Sequence, residues 1–389
     1  MKNLLPVLFL FLYFTSCSQV NTVKTDKSFF VKTGDSLAYL NYGLGTDRLG
    51  GAKMTFLDSN IVLKVIDSTG AYYKVQLSQF HAALIEKKLV KKDSLVKEKP
   101  HLSDSWSVRG DSLFDYVSIA LDEKLPYKSE MQIEPSKIVV DIYGATSNTN
   151  WITQLSTAKE IKNVWYEQKE DDVMRIYIEL KHAQHWGYKI YYVNNTLTIR
   201  VKPQPQIVNL AHLTIAVDAG HGGDQAGTEG FTPKIFEKDY TLLIAKEVQE
   251  ILLEKKARVI MTREKDTTLS MYDRVTFLNT QNPDLLISIH LNSSSKESVS
   301  GVSTYYRYVG FRPLSQAILN SMLMLGLNEF GNIGSFNFAL NGPTEFPNAL
   351  VEVAFLSNRG DEKKILDPEF RKEVAIRIVE GIEKFLQKL

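Results

Sequence analysis

The C-terminal half of the chain alternates between short apolar runs and longer stretches with helical periodicity. Apolar side chains recur every three or four residues in the longer stretches, whereas the short runs are typical of buried strands. The predicted strands are 213–217, 258–262, 285–289, 301–308 and 349–355, and the predicted helices are 240–254, 313–327 and 369–386. This alternation predicts an α/β domain over 206–389, with a mainly parallel sheet flanked by helices.

The residues before Pro203 and Pro205 predict two small β-rich modules instead. In 25–90, two runs of β-branched and aromatic residues flank a turn sequence, which is typical of a β-hairpin, and the module resembles bacterial SH3-like domains. The segment 106–202 holds further strand-like runs and resembles the AMIN module, a β-sandwich that helps to bind peptidoglycan or to localise proteins. The lysine-rich segment 91–105 between them predicts a solvated linker rather than a wall-binding patch.

The chain begins like a bacterial export signal. Lys2 precedes the apolar run 4–14, which is too short to span a bilayer and is typical of a cleaved secretory signal over 1–16. Cys17 follows small residues at the end of this run, an arrangement that resembles the lipobox of bacterial lipoproteins, with Phe14 where leucine is usual. The resemblance implies that Cys17 is lipidated. The alternative is an ordinary cleaved signal with an incidental cysteine, and either way the protein is exported.

Composition and charge exclude several classes of protein. The 389 residues are 44% hydrophobic and 23% charged, which is typical of a globular chain of two or three domains. A formal net charge of +1 argues against a protein that binds nucleic acid through a basic face. A mean hydropathy of −0.16 excludes a multi-span membrane protein. Because the chain has one cysteine, any metal must be held by histidine and carboxylate side chains.

Four polar side chains of the α/β domain stand where such a sheet places its ligands, at or just beyond the strands. His221 follows the first strand in a glycine-rich turn, Glu237 stands at the start of the first helix, and His290 closes the third strand. Two imidazoles and one carboxylate make a three-ligand zinc set with one open position. Each also has a structural interpretation, as a hydrogen-bonded histidine or as a charge at a helix N-terminus. Glu352 lies amid apolar residues of the fifth strand, so its burial requires a cation or a functional cavity.

Five sequence motifs occur in one order along the α/β domain. They are 217–223, 237–239, 262–266, 288–292 and 351–358. Together they resemble the motifs of the zinc-dependent N-acetylmuramoyl-L-alanine amidases of bacterial cell-wall turnover. The resemblance implies that His221, Glu237 and His290 bind zinc and that Glu352 is the catalytic glutamate.

Some positions extend or depart from the family pattern. Ala219 and Ala354 stand where the family usually has proline and glycine, which are small adjustments of the backbone. Arg263, Asp266, Arg274 and Asn292 also fall in family-like positions. We expect Arg263 and Asp266 to tie a loop together rather than to touch substrate, and for Asn292 two roles stay open, orienting His290 or meeting the peptide.

The interval between His290 and Glu352 is where some family members carry an autoinhibitory helix. In this chain the predicted strand 301–308, the helix 313–327 and the glycine- and proline-containing loop 331–347 account for the interval. No further long helix is therefore predicted, although the loop could cover part of the cleft.

The resemblance implies a peptidoglycan hydrolase that cleaves the amide bond between N-acetylmuramic acid and the L-alanine of the stem peptide, in wall turnover and daughter-cell separation. Zinc would activate water, and Glu352 would pass the water's proton to the departing amine. The expected partners are peptidoglycan and a membrane reached through lipid at Cys17, with no nucleic acid. The expected state is a monomer in the periplasm, anchored to the outer membrane.

Three alternatives remain open from the sequence. The first is another zinc-dependent wall hydrolase, such as a carboxypeptidase or a deacetylase. The second is a catalytically inactive regulator that binds the wall. The third is a wall-binding scaffold whose amidase domain is secondary.

Overall fold

The computed structural model describes residues 28–389, except for 35, 36, 46–48 and 97. The predicted signal 1–16 and its Cys17 lie outside the described residues. Within the described part of the chain, no helix combines the length and the apolar character needed to cross a membrane.

A seven-stranded antiparallel sheet forms the N-terminal module. Its strands are β1 (Phe29–Thr33), β2 (Ala38–Asn41), β3 (Lys53–Leu57), β4 (Val62–Thr69), β5 (Tyr72–Gln76), β6 (Ala82–Glu86) and β7 (Val90–Asp93), in the order β3-β2-β6-β5-β4-β1-β7. The predicted hairpin is confirmed, because β4 and β5 pair with each other. The linker predicted over 91–105 is wrong at both ends. Lys91 and Lys92 lie in β7 and pair with β1, and residues 101–105 lie in the next strand, His101–Gly110. Both lysines are exposed on β7, an edge strand, where charged side chains discourage pairing with another strand. A run of exposed lysines is also typical of a linker, which explains the wrong prediction.

Two further sheets form the second module. Its strands are β8 (His101–Gly110), β9 (Asp115–Leu121), β10 (Tyr127–Ile133), β11 (Ser136–Tyr143), β12 (Ala145–Thr146), β13 (Ile152–Gln154), β14 (Ile161–Glu170), β15 (Val173–Leu180), β16 (Tyr188–Val193) and β17 (Thr196–Val201). One sheet has the order β10-β11-β15-β14, and the other has the order β12-β8-β9-β17-β16, with β13 beside β8. Trp106 and Ile178, one from each sheet, belong to one buried apolar cluster that also contains Leu63 of the N-terminal module. The two modules therefore share a continuous core.

A six-stranded mixed sheet forms the centre of the third part. Its strands are β18 (Thr214–Ala219), β19 (Arg258–Met261), β20 (Leu285–Asn292), β21 (Val302–Tyr305), β22 (Glu329–Ile333) and β23 (Asn348–Phe355), in the order β19-β18-β20-β23-β21-β22. Neighbouring strands among β19, β18, β20 and β23 are parallel. β21 is antiparallel to β23, and β22 is parallel to β21. The expectation of a mainly parallel sheet is corrected at this edge. The connection 293–301 is shorter than the dozen or so residues that a parallel crossover needs, so the chain returns antiparallel.

Helices cover both faces of this sheet. They are α1 (Glu237–Glu254), α2 (Met271–Gln281), α3 (Arg312–Met322), α4 (Arg359–Leu366) and α5 (Pro368–Leu386). Ile215 and Val217 of β18 share a buried cluster with side chains of α1, α3 and α5. Ala216 points to the other face and clusters with Leu278 of α2, as the two-residue period of a strand requires. The helix predicted over 313–327 is α-helical only as far as Met322, and a single 3₁₀ turn follows it.

Candidate metal centre

The three side chains that the sequence predicts as metal ligands meet at the carboxyl end of the mixed sheet. His221, Glu237 and His290 each offer one ligand atom, and these atoms all lie within 4.8 Å of one another. His221 Nε2 is 3.2 Å from Glu237 Oε2, and His290 Nδ1 is 2.9 Å from Glu237 Oε1. The structure therefore brings together residues that lie on different elements and far apart in sequence.

Two neighbouring strands and one helix start position these side chains. His290 lies in β20, which pairs in parallel with β18, and His221 follows the last residue of β18 by two positions. His221 has a φ of 61°, a left-handed conformation that is uncommon for a residue with a side chain. Glu237 is the first residue of α1, where the helix dipole favours a negative charge.

Two glycines are required by the close approach of the ligand side chains. A Cβ atom at Gly220 would lie 2.5 Å from the ring of His290, and one at Gly227 would lie 2.5 Å from the carboxylate of Glu237. Gly227 also has a φ of 73°, which a residue with a side chain adopts only with strain. The glycine-rich sequence after β18 thus allows the backbone to pass directly beside two candidate ligands.

The carboxylate of Glu237 is buried and ionised. It accepts backbone hydrogen bonds from Thr228 at 2.9 Å and from Leu291 at 3.0 Å. Burial raises the pKa of Glu237, but hydrogen bonds and charges of His221 and His290 outweigh burial and hold this pKa well below its usual range. Burial likewise lowers the pKa of His290, but the hydrogen bond and charge of Glu237 outweigh it and raise the pKa to about 9. The site therefore presents a fixed negative charge between two imidazoles.

Glu352 lies on the strand next to the cluster. In the pairing of β20 with β23, its Cα lies opposite that of His290, and its side chain is 5% exposed. The negative charge of Glu352 is also among the influences that raise the pKa of His290. All four predicted residues are thus placed at one end of the sheet.

A buried ion pair lies beneath the loop that carries His221. Asp218 and Arg274 are each only 1% exposed, and the guanidinium of Arg274 donates to the Asp218 carboxylate. Thr262 Oγ1 at 2.7 Å and Ser288 Oγ at 2.6 Å donate to the same carboxylate. Burial raises the pKa of Asp218, but the charge of Arg274 outweighs burial, so the pKa is lowered. Arg274 also donates to the main-chain oxygen of His221, so the ion pair holds the loop in place.

A second pair of residues ties the same loop to the first helix. Arg263 donates to the main-chain oxygens of Gly220 at 3.0 Å and of Lys238 at 2.7 Å. Asp266 accepts hydrogen bonds from the backbone of Gly223 at 2.6 Å and from Lys238 Nζ at 2.7 Å. The prediction that Arg263 and Asp266 tie a loop together is confirmed by these contacts.

Arg274 stands in a family-like position but received no role from the sequence, because α2 was not among the predicted helices. The signal for α2 was present at its start. Ser270 and Asp273 form a capping box, in which each side chain bonds to the backbone of the other, and such a pair marks a helix N-terminus. Recognising this pair would have predicted a helix that carries Arg274 towards the His221 loop.

Three aromatic side chains, here called the aromatic wall, border the cluster. They are Tyr305, Phe336 and Phe338. The ring of Phe338 is parallel to that of His290, with 6.4 Å between the ring centroids. Phe336 contacts Phe338 at 4.6 Å and Tyr305 at 4.7 Å between centroids. The segment predicted as the loop 331–347 begins with the last three residues of β22, and its remaining part carries two of these rings beside the candidate metal centre.

Comparisons with known proteins identify two families in the chain. Residues 215–384 match the family described as N-acetylmuramoyl-L-alanine amidase, and residues 104–209 match the AMIN domain. The germination-specific N-acetylmuramoyl-L-alanine amidase of Bacillus subtilis (strain 168) is 31% identical over 200 residues, which are 47% of this chain and 83% of the relative. The probable cell wall amidase LytH of Staphylococcus epidermidis is 33% identical over 173 residues, which are 44% of this chain and 58% of the relative. The chain thus spans a little over half the length of that second relative.

A solved structure covers the same share of the chain. The catalytic domain of CwlV, an N-acetylmuramoyl-L-alanine amidase from Bacillus (Paenibacillus) polymyxa var. colistinus, is 32% identical with a TM-score of 0.44, over 45% of this chain and 98% of that chain.

The chain therefore belongs to the N-acetylmuramoyl-L-alanine amidase family, and it also contains an AMIN domain. It is an amidase of cell-wall peptidoglycan, which hydrolyses the amide bond between N-acetylmuramic acid and the L-alanine of the stem peptide. This confirms the function predicted from the sequence, and it places the action of the protein outside the cytoplasm.

Replacing Arg274 by Ala is expected to destabilise the protein by about 3–5 kcal/mol, because it leaves the Asp218 carboxylate buried without its charged partner. Urea unfolding of the parent and the variant measures this difference. Arg258→Ala, which removes an exposed arginine of β19, is the matched control and is expected to change stability by less than about 0.5 kcal/mol. Equal midpoints for Arg274→Ala and Arg258→Ala would contradict the structural role of the ion pair.

Proposed function

We propose that His221, Glu237 and His290 hold a zinc ion and that Glu352 is the catalytic carboxylate of the amide hydrolysis. The observation that carries this proposal is the convergence of the candidate ligand atoms, all within 4.8 Å of one another, beside the strand that bears Glu352. The family motifs, which imply the same roles for these four positions, support it independently.

The chemistry and spacing of the donors fit zinc. Two ligand atoms bound tetrahedrally at about 2.1 Å from the metal lie about 3.4 Å apart, and His221 Nε2 lies 3.2 Å from Glu237 Oε2. Three protein ligands of this kind would hold the metal and leave room for water, as in catalytic zinc sites. The proton that now lies between His290 and Glu237 would be released when metal binds, because ligands must be deprotonated.

Each residue of the site has a distinct part in the reaction. A bound zinc ion supplies Lewis-acid chemistry, which polarises the amide carbonyl and makes water reactive at neutral pH. Glu352 takes the proton from the attacking water and delivers it to the nitrogen of the departing L-alanine. Glu352 is buried and lies opposite His290 in the pairing of β20 with β23, which places it beside the proposed zinc ligands. Glu237 stays ionised, held by the backbone N–H groups of Thr228 and Leu291.

The proposed cellular setting rests on the predicted export signal and on the AMIN domain. Export through the signal 1–16 and lipidation of Cys17 would anchor the enzyme to the outer membrane, facing the periplasm. The AMIN domain would bind peptidoglycan and keep the wall near the site. A monomer suffices in this arrangement, because all four proposed site residues come from one chain. The enzyme would act in wall turnover and daughter-cell separation.

Mass spectrometry of purified peptidoglycan before and after treatment with the protein tests this function. The proposal predicts intact stem peptides with a free L-alanine amino group and glycan strands without peptides. Release of terminal D-alanine alone would indicate a carboxypeptidase, and release of acetate would indicate a deacetylase. Either result in place of free stem peptides would contradict the proposal.

His290→Ala is expected to lose most of the zinc and all detectable amidase activity, because it removes one of three ligands. Metal content by elemental analysis, together with product release, measures both effects. His212→Ala, which removes an exposed histidine outside the site, should keep parental zinc and activity. Unchanged zinc stoichiometry in His290→Ala would rule out the ligand assignment.

Glu352→Gln is expected to keep its zinc but to lower turnover by about 10²–10⁴-fold, the usual contribution of general acid–base catalysis. Steady-state rates on peptidoglycan and zinc analysis of the same samples test this expectation. Glu329→Gln, on the exposed edge of the same sheet, is the matched control and should be as active as the parent. Comparable rates for the two variants would mean that Glu352 is structural.

Cys17→Ala is expected to appear in the soluble exported fraction or as uncleaved precursor, because it removes the proposed lipid attachment. Membrane fractionation and the mass of the mature N-terminus provide the measurement. If the variant is processed and fractionates like the parent, the protein has an ordinary cleaved signal instead.

A further inference from the structure

The aromatic wall beside the metal centre is hydrogen-bonded to the N-terminal module. Asn337, which lies between Phe336 and Phe338, donates from Nδ2 to the main-chain oxygen of Gly51 at 2.9 Å. Arg307 donates to Asn337 Oδ1 at 3.3 Å and to the main-chain oxygen of Lys53 at 2.7 Å. Arg307 and Asn337 are here called the module clamp. The clamp joins the start of β3 to the loop that contains two rings of the wall.

Packing between the N-terminal module and the α/β domain adds to the hydrogen bonds of the module clamp. The guanidinium carbon of Arg307 lies 5.8 Å from the ring centroid of Phe56 in β3. Gly342, near the other end of the loop, lies so close to Phe56 that a Cβ there would be 2.9 Å from the ring. Tyr308 donates to the main-chain oxygen of Gly342 at 2.9 Å. The N-terminal module therefore contacts the loop on both sides of Phe338.

The ring of Phe336 packs on the other two rings of the wall. Its aromatic contacts within the described part of the chain are with Tyr305 and Phe338. Phe336 and Phe338 are both partly exposed, so burial in the sheet core does not define their positions. Asn337, placed between them, is therefore well suited to determine where both rings stand relative to His290.

We propose that the N-terminal module positions the aromatic wall through the module clamp, and that the two partly exposed rings of the wall, Phe336 and Phe338, bind the sugar ring on the acyl side of the scissile amide. Arg307 and Asn337 are positioning residues in this scheme, because they act on the substrate through Phe336 and Phe338. The proposal rests on the assignment of the reacting centre to the cluster around Glu237.

The chemistry of the wall favours a sugar over the rest of the peptide stem. The C–H face of a pyranose ring packs on aromatic rings through dispersion and the burial of apolar surface. The stem peptide beyond its first alanine carries charged groups, which would lose hydration against the rings of Phe336 and Phe338 without gaining a partner. The lactyl group of N-acetylmuramic acid supplies the acyl carbon of the scissile amide and is joined to the sugar by an ether bond, so the sugar ring lies only a few bonds from the reacting centre that Phe338 borders.

The experiment compares two substrates on the full-length enzyme. One is a soluble muropeptide that contains N-acetylmuramic acid, and the other is a lactyl peptide with the same stem but no sugar. Asn337→Asp keeps the shape of the side chain and its acceptor for Arg307 but loses the donor to Gly51. Its KM for the muropeptide is expected to rise about three- to tenfold, the effect of one lost hydrogen bond, with kcat and zinc content unchanged.

For the sugar-free peptide, the KM of Asn337→Asp should equal that of the parent. Amide hydrogen exchange of residues 331–347 should be faster in this variant than in the parent. Phe338→Ala should raise the muropeptide KM in the same way, and Phe338→Tyr should restore it. Asn195→Ala removes a comparable amide-to-carbonyl hydrogen bond in the second module and should leave every readout unchanged.

Three results would overturn the proposal. If the KM of Asn337→Asp equals that of the parent for the muropeptide, the module does not position the wall. If KM rises equally for both substrates, or if Phe338→Ala does not affect the muropeptide, the wall does not bind the sugar. A parent enzyme that holds no zinc and cleaves neither substrate would instead contradict the proposed function. Equilibrium binding of the muropeptide to the same variants would then still test the wall.

Discussion

The buried ion pair of Arg274 and Asp218 is the interaction on which the candidate metal centre depends. A charge at this depth is strongly unfavourable unless it is paired and its remaining hydrogen-bonding groups are satisfied. The structure meets most of this requirement with two hydroxyl donors to Asp218 and with main-chain oxygens that accept from Arg274, while Arg274 Nε is buried without a hydrogen-bond partner among the described residues. One of those oxygens belongs to His221, whose backbone has an uncommon left-handed conformation. The hydrogen bond from Arg274 therefore also holds the backbone of the ligand loop at this residue. The ligand loop is thus positioned by charges that take no part in the chemistry.

The accessory modules and the α/β domain form a connected unit. The apolar core of the N-terminal module continues into the second module, and it also includes Phe311 of the α/β domain. Gln184 of the second module donates to the main-chain oxygen of Gly310 at 2.7 Å, while the N-terminal module contacts the loop beside the site. A region that the sequence predicts as two separate β-rich modules therefore packs against the α/β domain beside the candidate metal centre.

Much of the candidate site could be predicted from the sequence, because its chemistry is concentrated at strand ends. His221, Glu237 and His290 stand beside apolar runs that reveal the strands and the first helix, and the motifs supply their order. The direction of β21 could not be read from its own residues, since an apolar run does not indicate which neighbour it pairs with. The clamp was also invisible, because Asn337 and Gly51 lie far apart in the sequence and neither belongs to a recognisable motif. Contacts between parts of a chain depend on how those parts pack, which local patterns do not encode.

Anomalous diffraction at the zinc absorption edge, from crystals of the active protein, tests the central claim most directly. The account predicts one strong anomalous peak within bonding distance of His221, Glu237 and His290, at about 2.0–2.2 Å from the ligand atoms, with Glu352 beside the open position. A zinc peak bound by other residues in an active preparation, with these three side chains still hydrogen-bonded to one another, would contradict it.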